Sequence, residues 1–287
     1  MLALDLLIQG LVQGAIYALV AVGLTLVYGL LRILHVAHAA LFTLGGYLGV
    51  LVTNATGSFA LALAVAMGVA GVAGIAVYRL AYRPLLGRSP LIALIASIGL
   101  FIASEEAFRI IFGAHGLSYV TPPLQAQIEI APGISLSLAR IAVVVLAVVL
   151  LSALGWLSLS TRTGVAWRAS VSDPPIAQAF GIDIERVRHL NFFVGSALAG
   201  AAGVMVALLN NLVEPTMGAV PSYKALAIIV LGGLGNVRGT LVAALALGVV
   251  ESFGTIYAGH LLDRDAIAFA FLILVLMLRP QGLLARS

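Results

Sequence analysis

The sequence predicts an all-α integral membrane protein, a polytopic helical bundle of about eight to ten spans with Gly-broken segments. Apolar residues make up 62% of the 287-residue chain. Charged residues make up only 9%, where a soluble globular domain carries about 25%; that is too few to coat a water-facing surface. Apolar runs near twenty residues recur from end to end, the length a helix needs to cross a bilayer core of about 30 Å. Residues 1–287 read as a single transmembrane domain, with mean hydropathy +1.15.

On the span-length ruler the candidates are about 6–30, 35–53, 59–79, 90–113, 138–160 and 190–212. Three more crowd the end at about 222–236, 239–258 and 265–279. Gly45-Gly46 and Gly232-Gly233-Leu234-Gly235 interrupt apolar runs, so one or two segments read as half-helices or re-entrant pieces. Broken backbone at membrane depth is tolerated only inside protein or along a cavity. The opening MLALDLLIQG has Asp5 instead of a basic n-region, so the first run reads as a retained span.

With nine alternating spans and the N-terminus outside, one face collects Arg32, Arg79, Arg83, Arg88, Arg162, Arg168, Arg186, Arg188, Arg238, Arg279 and Arg286. These are eleven of the fifteen basic residues. Basic residues stay on the cytoplasmic side, which places loop 161–190 and the C-terminal RPQGLLARS tail there. Loop 114–138, with three prolines, falls on the outside. The sequence pI of 9.7 therefore reflects topology, and no nucleic-acid partner is expected.

The chain contains no cysteine, which leaves no thiolate metal site or thiol nucleophile. It contains no Gly-Lys-Ser/Thr nucleotide loop, no HExxH zinc motif and no GxSxG elbow. No catalytic residue is expected. The chain reads as one that moves something, with any ATP used by other subunits and no cofactor of its own.

Polar residues within spans are functional candidates by default. His35 and His38 stand one turn apart where the second span begins, as structural hydrogen-bonding groups or pathway lining; no third ligand is nearby, so no metal is expected. Asn210 and Asn211 end the sixth span, either facing a pathway or capping the helix. Glu251, also a candidate for the translocation pathway, is deep in an apolar run and requires a partner, with Lys224 or Arg238 as candidates. Glu105 and Glu106 precede Arg109, in an intrahelical ion pair or as coupling carboxylates. The small-residue run from Gly195 to Gly203 reads as a tight helix-packing seam.

The basic loop has its own pattern. Ala166 to Ala179 can form a short helix across the membrane face. Asp173 before Pro174-Pro175 looks like a helix start, with a carboxylate cap and proline in the first turn. Ile176 to Ala179 then gives one short turn before the Gly181 stop.

Four segments in order carry a resemblance: GAIYALVAVGLTLVYGLLRILHVAHAALFTLGGYLG, TGVAWRASVSDPPIAQAFGIDIERVRHLNFFVGSALAGAAGVM, KALAIIVLGGLGNVRGTLVAALALGVVE and RPQGLL. Over nearly its whole length the chain resembles the permease subunits of bacterial branched-chain amino-acid ABC importers. The resemblance implies an inner-membrane permease with an ATPase-coupling motif at Ala177 and Gly181, and it matches the family's loop Arg and Asp at Arg168 and Asp173. It implies two cytoplasmic ABC ATPase subunits, a second homologous permease subunit and a periplasmic substrate-binding protein as partners. His35 stands where the family commonly has Asn, and Ala39 where it commonly has Gly. Branched-chain amino acids lead as substrate, with urea, short amides or other amino acids as alternatives. A different class, an ion-coupled secondary transporter or channel built on Glu105, Glu106 or Glu251, is the rival.

Overall fold

Among the described residues of the computed structural model, seven helices are long and apolar enough to cross a membrane. The structure describes residues 2–131, 134–279 and 282–284. The seven comprise α1 (Leu2–Leu31), α2 (His38–Thr56), α3 (Phe59–Val77, continuing through a π-helical turn at Tyr78–Tyr82 and a 3-10 turn to Leu85), α4 (Pro90–Phe112), α5 (Leu138–Ser160), α8 (Ile184–Asn210) and α10 (Val237–Tyr257). Two short helices, α6 (Arg162–Ser172) and α7 (Pro174–Ala179), fill the basic loop. The remaining pair, α9 (Ala219–Gly232) and α11 (Arg264–Leu278), reach only about 21 and 22 Å at 1.5 Å per residue. They are the half-length segments the crowded end of the sequence implied.

Small polar residues start the apolar helices. Ser58, Ser89, Ser137, Asp183 and Asn236 each accept a hydrogen bond from a first-turn N–H of α3, α4, α5, α8 and α10. These caps satisfy donors that have no partner inside the helix.

The bundle is built around α1 and α8. In their most apolar windows 83% and 78% of residues are enclosed, against 11% for α4 and 17% for α5. α4 and α5 turn Ile92, Ile95, Ile102, Val145 and Val148 outward, the surface a lipid-facing helix presents. α1 packs on α10, α8, α9 and α5, while α8 packs on α2 and α3.

Glycine sets these crossings. A methyl group on Gly23 would lie 2.6 Å from the Gly195 carbonyl oxygen, and one on Gly10 2.7 Å from the Val249 Cα. One on Gly45 would run into the Gly200 backbone, and one on Gly203 into the Phe42 carbonyl. The Gly195–Gly203 seam is therefore real, and Gly45-Gly46 do not break α2: they lie within an uninterrupted helix at its contact with α8. Gly232–Gly235, by contrast, do end a helix, with Gly233 and Gly235 in the left-handed region.

The helices share two poles. At one, Arg83 and Arg188 reach Glu185 at 3.1 and 3.6 Å, and Arg79 donates to His189 at 2.9 Å. Residues 282–284 join the same pole, where the Leu283 N–H donates to the Leu231 carbonyl at 2.7 Å. Arg286, counted with this pole from sequence, lies outside the described residues, as does most of the RPQGLLARS tail.

At the other pole, segment 114–138 is more ordered than a proline-rich loop suggests. Strands β1 (Gln127–Ala131) and β2 (Ile134–Ser137) pair antiparallel, Ile128 opposite Leu136; Pro132 and Gly133 between them lie outside the described residues. The alternation of Gln127-Ile128-Glu129 and Ser135-Leu136-Ser137 is a period-two signal that the reading by span length passed over. Asn54 ties this segment down, donating to the Ser118 carbonyl at 3.0 Å and accepting from the Val120 N–H at 3.0 Å. Burial pushes the Tyr119 phenol up to about 12.

Candidate functional site

The basic loop folds as two helices where one was expected. Asp173 separates them. Its N–H closes α6 on the Ala169 carbonyl at 3.0 Å, while its carboxylate accepts from the Ile176 N–H at 3.0 Å and opens α7. A residue in extended conformation followed by proline cannot continue the preceding helix. At the far end the Gly181 N–H donates to the Gln178 carbonyl and the Ile182 N–H to the Ala177 carbonyl, at 2.9 and 3.1 Å. With Gly181 at φ +84° this is a Schellman cap. Asp183 then caps α8, its carboxylate accepting from the Arg186 N–H at 3.1 Å.

The four loop residues sit differently in this geometry. Asp173 and Gly181 shape the turn. Ala177 is 3% exposed within the chain. Ile176 and Phe180, 56% and 84% exposed, carry the apolar surface of the turn instead. Arg168 lies apart, on α6, at a cleft it shares with Arg238.

His35 and His38 come together deep in the fold, ring centroids 5.5 Å apart and both 1% exposed. His35 Nδ1 is 2.6 Å from the Tyr82 hydroxyl, which donates to Ser97 Oγ at 2.7 Å. Ser97 Oγ in turn accepts from the Ala37 N–H at 2.9 Å. The π-helical turn rotates Tyr82 into this position, and Tyr78 with it, so that the Tyr78 hydroxyl donates to Glu185 at 2.8 Å. His38 faces α1, with Nε2 3.2 Å from where a Gly23 methyl would sit. The pair thus links the α1–α2 corner to α3, α4 and α8.

The two asparagines sit differently. Asn211 ends α8 in the left-handed region at φ +52°. Asn210 lines two adjoining cavities of about 540 and 390 Å³ at the pole of segment 114–138. Gln13, Leu209 and Arg264 border both cavities as well.

Glu251 is 0% exposed and ion-paired at each oxygen. Lys224 Nζ is 2.8 Å from one oxygen, and Arg264 Nε and the Tyr17 hydroxyl approach the other at 2.9 and 2.7 Å. Lys224 also reaches Asp265 at 2.9 Å, and Tyr223 donates to Asp265. Arg238, the other partner considered, lies thirteen residues earlier on the same helix, about 20 Å away along its axis. Of the network only Glu251 and Lys224 were singled out from sequence; Tyr17, Arg264 and Asp265 were missed. Arg264-Asp265 at the start of an apolar helix was a usable signal. Glu106 is paired as expected, 2.7 Å from Arg109.

A bundle of apolar helices seamed by glycine, with a charged cluster inside and short helices at its cationic pole, defines a polytopic membrane protein. The family described as branched-chain amino acid transport system / permease component matches residues 6–278, and the chain belongs to it. It is 31% identical to the high-affinity branched-chain amino acid transport system permease protein BraD of Pseudomonas aeruginosa, over 99% of this chain and 96% of BraD. It is 31% identical, with the same coverage, to the permease protein LivH of the corresponding Escherichia coli system. The E. coli permease protein LivM is 27% identical, over 94% of this chain and 68% of its own length. No solved structure matches the chain.

Proposed function

We propose that the chain is a transmembrane permease subunit of an ATP-binding-cassette importer that carries branched-chain amino acids across the inner membrane. The observation that carries the reading is the family match along residues 6–278, joined to a helix–turn at the arginine pole whose apolar residues face outward. The arginine pole is cytoplasmic, with the N-terminus outside and the C-terminus inside, by the positive-inside rule. Two ATPase subunits meet α7 there, a second homologous permease subunit completes the pathway, and a periplasmic binding protein delivers substrate at the opposite pole.

The geometry supports a lever. Motion of α7 passes through the Asp183 cap directly into α8. α8 crosses α1 at Gly23–Gly195 and α2 at Gly45–Gly200, contacts close enough to transmit a displacement and small enough to slide. ATP-driven approach of the ATPases thereby rocks the bundle between outward- and inward-open forms. The two cavities around Asn210 and Arg264 form the outer end of the route, where amide and guanidinium groups can meet a zwitterion.

Reconstitution tests the proposal. The chain, its partner permease, ATPases and binding protein in proteoliposomes should accumulate leucine, isoleucine or valine only with ATP and all subunits present. Uptake by the chain alone in an ion gradient would defeat it.

A further inference from the structure

The geometry points to an anionic phospholipid held in the cleft between α1, α5, α6 and α10 at the arginine pole. The cleft encloses about 460 Å³. Leu26, Leu154 and Leu241 line its walls, and Leu159, 63% exposed, opens it sideways. Arg168 and Arg238 both border it and are exposed.

Two guanidinium groups bordering one cleft sum to a local positive potential that favours an anion there. Among the described residues neither guanidinium has an acidic partner or a hydrogen bond; Arg32, Arg88 and Arg162 at the same pole share that state, but only Arg168 and Arg238 border the cleft. Planar guanidinium groups suit a phosphate. The apolar walls ask for a hydrocarbon chain, which excludes free phosphate as the occupant that fits both halves. Depth agrees: Trp156, 66% exposed, sits one turn before Leu159 on α5, and exposed tryptophans mark the headgroup level of a bilayer. Basic pockets between membrane helices bind acidic headgroups in this way. This assignment does not depend on which substrate is carried.

Native mass spectrometry of the full chain, purified and supplied with phosphatidylglycerol or phosphatidylcholine, tests the site. Phosphatidylglycerol adducts should outlast phosphatidylcholine adducts. In Arg168→Gln/Arg238→Gln the phosphatidylglycerol affinity should fall about thirtyfold, while Arg162→Gln, which removes a charge from the same helix outside the cleft, should bind as the parent does. Leu154→Trp, which fills the cleft and keeps both arginines, should lose the adduct as well. Equal retention of the two lipids by the parent chain would overturn the proposal, as would undiminished phosphatidylglycerol binding in the double or the filled variant. Repeating the measurement on the assembled importer extends the test: loss of the adduct on assembly would mean that a protein partner occupies the cleft, and would equally overturn it.

Discussion

Lys224 and Glu251 form an ion pair at 2.8 Å inside the bundle, their side chains 3% and 0% exposed. The pair joins α9, a helix too short to span the bilayer, to the long helix α10. Arg264 and Asp265 extend it to α11, the other short helix. One charge cluster thus ties the two short helices to a full-length span.

Breaking that pair should be costly in a specific way. Removing one member of a buried pair leaves an uncompensated charge, at about 3–5 kcal/mol. Lys224→Met should lower the midpoint of thermal unfolding in detergent, because Glu251 then keeps only Arg264 and Tyr17. Adding Glu251→Gln to the same chain should recover part of the loss, since no buried charge is left unbalanced. An additive double variant would refute this coupling.

Gly181 separates a shape requirement from a docking requirement. Its φ of +84° costs an L-residue about 1–2 kcal/mol, yet nothing lies within 4 Å of the point a Cβ would occupy. Gly181→Asn, which tolerates the left-handed region, should retain uptake. Gly181→Val should uncouple ATP hydrolysis from uptake while the chain still reaches the membrane. Normal ATP-driven uptake by the valine variant would remove Gly181 from the coupling turn.

Phe180 and Ile176, the exposed apolar residues of the turn, should carry contact with the ATPase. Truncating an exposed aromatic anchor typically costs about 2 kcal/mol of binding, or about thirtyfold in affinity. Phe180→Ala should weaken ATPase association by that order in a titration with the purified subunits, with Ile176→Ala smaller. Gln178→Ala, also exposed on α7, should change little.

Sidedness can be read with single cysteines, because the chain has none of its own. Ser118→Cys, in the segment bridged to Val213, should react with an impermeant thiol reagent in intact cells. Ser172→Cys, at the exposed end of α6, should react only after the membrane is opened. The reverse pattern would invert the topology.

Much of this was legible along the chain. Composition and run length report the transfer free energy of each segment, which is a local quantity; they predicted the class, most of the span positions and the arginine-rich pole. Cap chemistry is local too, and Asp173-Pro174 announced the start of α7. The pathway and coupling geometry were far less legible. Spans that are apolar nearly all round carry no stripe to show which face is buried, so the sequence could not say that α1 and α8 form the centre while α4 and α5 face outward. It could not choose between Lys224 and Arg238 for Glu251, turn Ala177 inward, or show that Gly45-Gly46 mark a helix crossing instead of a break. Those outcomes depend on helix rotation and crossing position, and only the tertiary packing, through backbone approaches such as Gly23 on Gly195 and Gly45 on Gly200, decided them.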